Sequence, residues 1–337
     1  MNKNKKIRVL VVFGAISNGG VEHIITDIFN NVDKTQFESE AVYHAGDCSL
    51  SEVPLLQKTW NNMEQIPQFL TINWHSYRKW WIDYIKRHEH FDIIHLNYID
   101  SAFCFLDLFN STGTISIGHA HNPKSRPYSI GQFVSDIISY PARYICKYLI
   151  ACSNQAAHEI FGNNANRKTS ILLNGIDLTK FCYNKDHRDS IRKMYGAEGK
   201  TIIGHVGRFV PQKNHDFLIK VFEEFHKTHS NAELWLIGDG ELKASIKNRL
   251  DDMNLSQSVK FIGIVNNVED YMNAFDVFLF PSNYEGLGIV AVEAQATGLP
   301  CIVSDAVPDE ADIKAGILKR LSLKAPIKKW CTEIDNA

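Results

Sequence analysis

Two glutamates and two glycines late in the chain have the types and spacing for anion and hydroxyl chemistry. Glu285 stands directly before Gly286-Leu287-Gly288, and Glu293 follows eight residues after Glu285. Glycines at the mouth of a helix let backbone N–H groups approach an anion that the positive helix end already favours. Phosphate fits such a place. The spacing puts one carboxylate on the loop and the other about two turns inside the helix. Such a pair could accept hydrogen bonds from sugar hydroxyls on either side of a bound phosphate, or simply be surface glutamates of a strand-helix-strand unit. Two cations sit upstream, Arg208 and Lys213, five residues apart around Pro211. A planar guanidinium and an ammonium point charge on one loop can converge on a diphosphate. They can equally be two solvated surface charges.

These residues depend on the elements that carry them. The run 276–281, DVFLFP, has the length and Val/Phe content of a buried strand, stopped by Pro281. Ile289, Val290, Val292 and Ala296 then keep helical spacing up to Gly298-Leu299-Pro300, a C-cap glycine followed by a helix-incompatible proline. A strand at 301–303 follows. Upstream, a strand at 201–206 leads through the loop 207–214 into a helix at 216–229. Strands at 233–237, ending in Gly238-Asp239-Gly240, and at 259–263 belong to the same half. Gly286 to Ala291 also fits the G-x-G-x-x-A dinucleotide fingerprint, although such fingerprints normally open a domain at its first strand.

The first half repeats the logic. An apolar run at 7–13 reads as a buried parallel strand, and Gly19 and Gly20 open a helix with Val21, Ile24, Ile25, Ile28 and Phe29 on one face. The two glycines either expose amides to a ligand or serve a tight turn. Strands at 40–43, 92–96, 114–120, 149–153 and 169–173 alternate with helical segments, a doubly wound α/β pattern. His119 and His121 lie at the end of one of these strands, where ligands sit in such sheets. No third ligand stands nearby, which argues against a metal. The interval 178–200 is rich in charge, lacks strand periodicity and reads as a linker. The expected organisation is therefore a domain over 1–177, a linker over 178–200 and a second domain over 201–337. The segment 74–90, WHSYRKWWIDYIKRHEH, reads as a packed helix with a charged face or as a helix lying on an anionic membrane.

Whole-chain properties narrow the classes. A length of 337 residues suits two domains, and 45% apolar residues fill two cores. A net charge of −2 carries no electrostatic footprint for nucleic acid. Seven scattered cysteines without a C-x-x-C read as reduced thiols of a cytoplasmic protein. The start, MNKNKKIRVLVVFG, reads as a first strand rather than a secretory signal. No stretch approaches the roughly twenty apolar residues of a membrane span.

Taken together, the motifs resemble those of the retaining glycosyltransferases of the GT-B fold, family 4. They are GGVE at 19–22, HAHN at 119–122, NGID at 174–177, GHVGRFVPQKN at 204–214, IGDGEL at 237–242 and EGLGIVAVE at 285–293. The resemblance implies two Rossmann-like doubly wound domains facing a cleft. The C-terminal one would bind a nucleoside-diphosphate sugar and the N-terminal one a glycan or lipid-linked acceptor. It implies that Arg208 and Lys213 hold the diphosphate, that Gly286, Leu287 and Gly288 offer amides to it, and that Glu285 contacts the donor sugar. Glu293 would hold the ribose, His119 would lie near the sugar, and Gly19 and Gly20 near the donor phosphates or acceptor. The expected activity is transfer of a hexose or N-acetylhexosamine, with UDP as the nucleotide, in capsule or exopolysaccharide synthesis. No cofactor or metal is expected, since the chain contains no D-x-D. The expected location is the cytoplasm, with peripheral contact at the inner face of the plasma membrane. Family members usually finish with a long helix crossing back to the first domain, whereas this chain stops at Ala337 with little apparent periodicity. A truncated C-terminal domain is therefore expected. With it comes an alternative, a nucleotide-sugar-binding protein with impaired catalysis; a dinucleotide oxidoreductase is a third reading.

Overall fold

The computed structural model describes residues 5–16, 20–44, 50, 53–69, 73–121, 141–162 and 169–337. The chain forms two compact units, Met1–Asn174 and Gly175–Ala337.

In the first unit the strands are β1 (Ile7–Ala15), β2 (Phe37–His44), β3 (Glu64–Ile66), β4 (Ile93–Leu96), β5 (Ile115–Ala120), β6 (Tyr148–Ala151) and β7 (Thr169–Ile171). They pair in the order β3-β2-β1-β4-β5-β6-β7, parallel throughout. Val9 to Phe13, the middle of central β1, are buried, which is why the sequence there is continuously apolar instead of alternating. The helix Gly20–Asn31 lays Ile25 and Phe29 on this sheet in a cluster that also takes Trp60.

In the second unit the strands are β8 (Thr201–Val206), β9 (Ala232–Ile237), β10 (Val259–Gly263), β11 (Val277–Phe280), β12 (Cys301–Ser304) and β13 (Leu318–Leu321). Their order is β10-β9-β8-β11-β12-β13, again all parallel. In both sheets the order reverses beside the first strand, at β1/β4 and at β8/β11. Connections leaving the carboxyl ends of such a pair diverge to opposite faces and open a crevice there. The loops 207–214 and 281–288 leave β8 and β11 at this place. Gly238, at φ 128°, brings the loop after β9 against the first of them: a Cβ there would stand 2.2 Å from the Gly207 carbonyl oxygen.

Two sequence expectations change. The interval 178–200, read as a linker, contains the helix Lys185–Met194 and belongs to the second unit. Its charges do structural work that composition hides. Asn184 caps it by accepting from the N–H groups of Asp186 at 2.9 Å and His187 at 3.2 Å. Arg188 and Arg192 both bond Asp276, whose carboxylate also accepts from the Ile202 N–H at 2.7 Å, tying the helix to the sheet. Residues 327–335, read as aperiodic, form the helix Ile327–Asp335. Trp330 and Ile334 are buried, and the Trp330 ring meets Phe217 of the helix His215–His226 at 5.1 Å. The helix Trp74–Arg87 is packed, as the first of its two sequence readings has it: Tyr77, Trp81 and Tyr84 are buried, and Trp81 stacks on Phe105 at 4.0 Å. Arg78 and Arg87 pair with Asp107 and Glu64 at 2.7 and 2.8 Å. Trp74 and the two lysines stay exposed. Among the described residues no helix is long and apolar enough to cross a membrane.

Candidate functional site

The second unit gathers four of the singled-out features at the ends of β8 and β11. After β8 the chain makes a turn at Pro211–Lys213, and Asn214 takes a left-handed φ of 55° before the helix His215–His226. Lys213 Nζ reaches across and donates to Glu285 Oε1 at 2.6 Å. Both side chains are largely shielded, at 14% and 5% exposure, so this is a water-poor ion pair. The stem of Lys213 runs over Gly207, where a Cβ would stand 3.2 Å from its Cδ, and its ammonium lies 4.7 Å from the centre of the Phe280 ring. That is cation–π distance. Gly288 holds φ 79° as it opens the helix Ile289–Ala296, with Gly286 and Leu287 buried beside it. A Cβ on Gly288 would lie 3.3 Å from Phe280 and 3.6 Å from the Glu285 Cγ.

Arg208 stands on the same loop as Lys213, but its side chain is exposed and makes no hydrogen bond or ion pair among the described residues. Its charge is felt by Tyr284, whose phenol is pushed up by burial and by Glu285 and pulled down by Arg208. Glu293 lies half-buried inside the helix. The arrangement thus offers an uncommitted guanidinium, an ammonium with two spare N–H donors, a fixed carboxylate and a glycine-opened helix start.

Several contributors carry no signal of type or spacing. Gln212 and Asn283 staple the two loops: the Asn283 N–H donates to the Gln212 carbonyl at 2.8 Å, and the Asn283 amide donates to the Pro211 carbonyl at 2.7 Å. Asn214 donates to the Pro281 carbonyl at 3.1 Å. Beneath Lys213, His205 and His215 are buried with ring centres 4.9 Å apart. His205 donates from Nδ1 to the Leu279 carbonyl at 2.9 Å. Burial, and after it the neighbouring positive charge, lowers the pKa of both, that of His215 to about 4.

In the first unit His119 is the penultimate residue of β5 and is buried, with Nδ1 at 3.1 Å from His95 Nε2 and its ring 3.9 Å from that of His121. His121 Nε2 donates to Asn97 Oδ1 at 2.8 Å. Burial keeps the stack neutral, reinforced by the adjoining rings at His119 and His121: His119 is lowered furthest, His121 to about 3 and His95 to about 4. Among the described residues the buried atoms His119 Nε2, His121 Nδ1 and Asn97 Nδ2 have no hydrogen-bond partner. Gly20 begins the helix Gly20–Asn31. Gly19 and Asn122 lie outside the described residues. Among the described residues no group of three or more His, Cys, Asp or Glu is arranged to hold a metal ion.

Fold and side chains define an α/β protein that gathers two cations, a carboxylate and a glycine-opened helix at the carboxyl ends of two central parallel strands. The profile of the family described as glycosyl transferases group 1 matches residues 187–315. Over 344 aligned residues the chain is 30% identical to the putative glycosyltransferase EpsF of Bacillus subtilis, covering 100% of this chain and 89% of EpsF. The chain belongs to the glycosyl transferases group 1 family. Its fold is similar to that of Anabaena HepE, whose crystal structure contains UDP, with a TM-score of 0.80 at 16% identity, covering 98% of this chain and 89% of HepE. It is also similar to WaaG, a glycosyltransferase involved in lipopolysaccharide biosynthesis, with a TM-score of 0.75 at 16% identity over 97% and 89% of the two chains. The two parallel-sheet units are those of a GT-B protein.

Proposed function

We propose that this chain transfers a hexose or N-acetylhexosamine from a UDP-sugar to a glycan or lipid-linked acceptor in cell-surface or exopolysaccharide synthesis, with retention of anomeric configuration. The observation that carries the reading is the shielded Lys213–Glu285 pair beside a glycine-opened helix and a free arginine, at the ends of β8 and β11. In this reading Arg208 and Lys213 hold the diphosphate, the amides at 286–288 complete its cradle, Glu285 accepts from donor-sugar hydroxyls and Glu293 from the ribose. His119, kept neutral, offers a hydrogen bond to the sugar without adding charge. HepE, a fold neighbour, binds UDP and UDP-glucose, which supports the choice of nucleotide.

The chemistry follows from where charge develops. As the glycosidic bond to phosphate breaks, negative charge builds on the leaving diphosphate, and preorganised cations and a helix start stabilise that charge more than they stabilise the ground state. The leaving phosphate then assists deprotonation of the acceptor hydroxyl. No divalent ion takes part, so a chelator leaves the rate unchanged; activity lost to chelator and restored only by Mn²⁺ or Mg²⁺ contradicts this. The same reading puts the protein in the cytoplasm, with peripheral membrane contact when the acceptor is lipid-linked.

Calorimetric titration with UDP and with NAD, followed by assay of UDP release from UDP-sugars with and without acceptor, tests the reading. Binding of UDP with acceptor-dependent release is expected. Binding without turnover selects a nucleotide-sugar-binding protein that does not catalyse, and binding of NAD without UDP selects a dinucleotide enzyme.

A further inference from the structure

Gln212 touches three successive residues of the loop that carries Glu285. Its carbonyl accepts from the Asn283 N–H at 2.8 Å. Its side-chain Nε2 donates to the Tyr284 carbonyl at 3.1 Å and stands 3.4 Å from Glu285 Oε2. Both side-chain neighbours are acceptors only, so just one orientation of the amide satisfies them. The next residue, Lys213, takes the other carboxylate oxygen at 2.6 Å. Glu285 is therefore gripped at both oxygens by consecutive residues of one loop, one charged and one neutral.

Two grips do what one cannot. The terminal torsion of a glutamate is broad, so a carboxylate held by one oxygen still turns about its last bond. Contacts at both oxygens fix its plane. A carboxylate of fixed plane accepts best along its lone-pair directions, and epimeric hydroxyls on a hexose point in different directions. Resting on the donor-site reading above, we infer that Gln212 is a positioning residue for sugar recognition: it sets the plane of the Glu285 carboxylate and thereby which donor hexose Glu285 accepts. Gln212 itself touches no sugar in this account.

Calorimetry with UDP, UDP-glucose, UDP-galactose and UDP-N-acetylglucosamine tests this on the full chain, using wild type, Gln212→Met, Glu285→Gln and the double variant. Gln212→Asn, which keeps the amide but withdraws it by one methylene, is the second single variant should Gln212→Met fold poorly. The wild type distinguishes the sugars. Gln212→Met holds UDP affinity within about threefold while the ratio between best and worst sugar shrinks at least about fivefold, and the double variant shrinks it no further than Glu285→Gln alone. A merely structural residue would weaken UDP and every UDP-sugar alike, and its effect would add to that of Glu285→Gln; either result overturns the inference, as does an unchanged ratio. A wild type that binds UDP but distinguishes no sugars removes the Glu285 assignment and this inference together. A wild type that binds no UDP removes the donor-site reading itself.

Discussion

Replacing Lys213 by methionine separates what the ion pair does for the fold from what it does for the reaction. Methionine keeps the length of the stem over Gly207 and removes the charge. Glu285, at 5% side-chain exposure, is then left without its counterion. Breaking a buried pair in this way costs about 3–5 kcal/mol; with Lys213 at 14% exposure, water reaches the site and the lower end, about 3 kcal/mol, is expected. In the double variant Lys213→Met/Glu285→Gln no charge is stranded, so most of that loss returns. Turnover behaves differently. The ammonium that would face the leaving diphosphate is absent from both variants, and losing a charge-assisted hydrogen bond of about 1.5–3 kcal/mol slows UDP release from a UDP-sugar by roughly ten- to a hundredfold in each. Urea unfolding and a coupled UDP-release assay on the three proteins measure the two quantities. Equal stability loss in single and double variants would refute the ion-pair argument, and wild-type turnover in either would refute the site assignment.

Arg208→Ala should leave stability within about 0.5 kcal/mol, because the side chain is exposed and unpaired, yet weaken UDP binding about tenfold or more in calorimetry. Gly288→Val places a β-branched residue at φ 79° with its Cβ 3.3 Å from Phe280, so a loss of about 2 kcal/mol in urea unfolding and of UDP affinity is expected; an unchanged protein would mean the helix start does not need its glycine. The buried histidines make the fold acid-sensitive. His95, His121 and His215 stay neutral in the folded chain down to about 4, about 3 and about 4, whereas the unfolded chain takes up protons below about 6.5. The unfolded state then binds more protons, so stability is full above about 6.5 and each histidine removes up to about 1.4 kcal/mol per pH unit below it. A thermal midpoint unchanged between pH 7 and pH 5 would contradict that burial.

What the sequence made legible and what it hid have physical causes. Parallel strands buried on both faces write continuous apolar runs, so β1, β8 and β11 could be read within a residue or two. The pairing of Lys213 with Glu285 was only half legible: both residues stood out by type, but 72 positions separate them, and only the reversal of strand order beside β8 and β11 shows why they meet. Gln212 was invisible because an amide beside a lysine in a loop has no periodicity or unusual chemistry. The helix Lys185–Met194 resembles a linker in sequence because it fastens itself through Arg188 and Arg192 on Asp276, and charges that are spent internally look the same in sequence as solvated ones. The last helix does leave a trace in the sequence: Ile327, Trp330, Cys331 and Ile334 recur at three- and four-residue spacing.

The most direct test is an assay of UDP release from a panel of UDP-hexoses and UDP-N-acetylhexosamines against glycan and lipid-linked acceptors, with wild type and Glu285→Ala side by side. The account predicts acceptor-dependent release with at least one donor, reduced at least tenfold in Glu285→Ala, about 1.4 kcal/mol of barrier. Release that is equal in the two proteins, or absent with every donor although UDP binds, would contradict it.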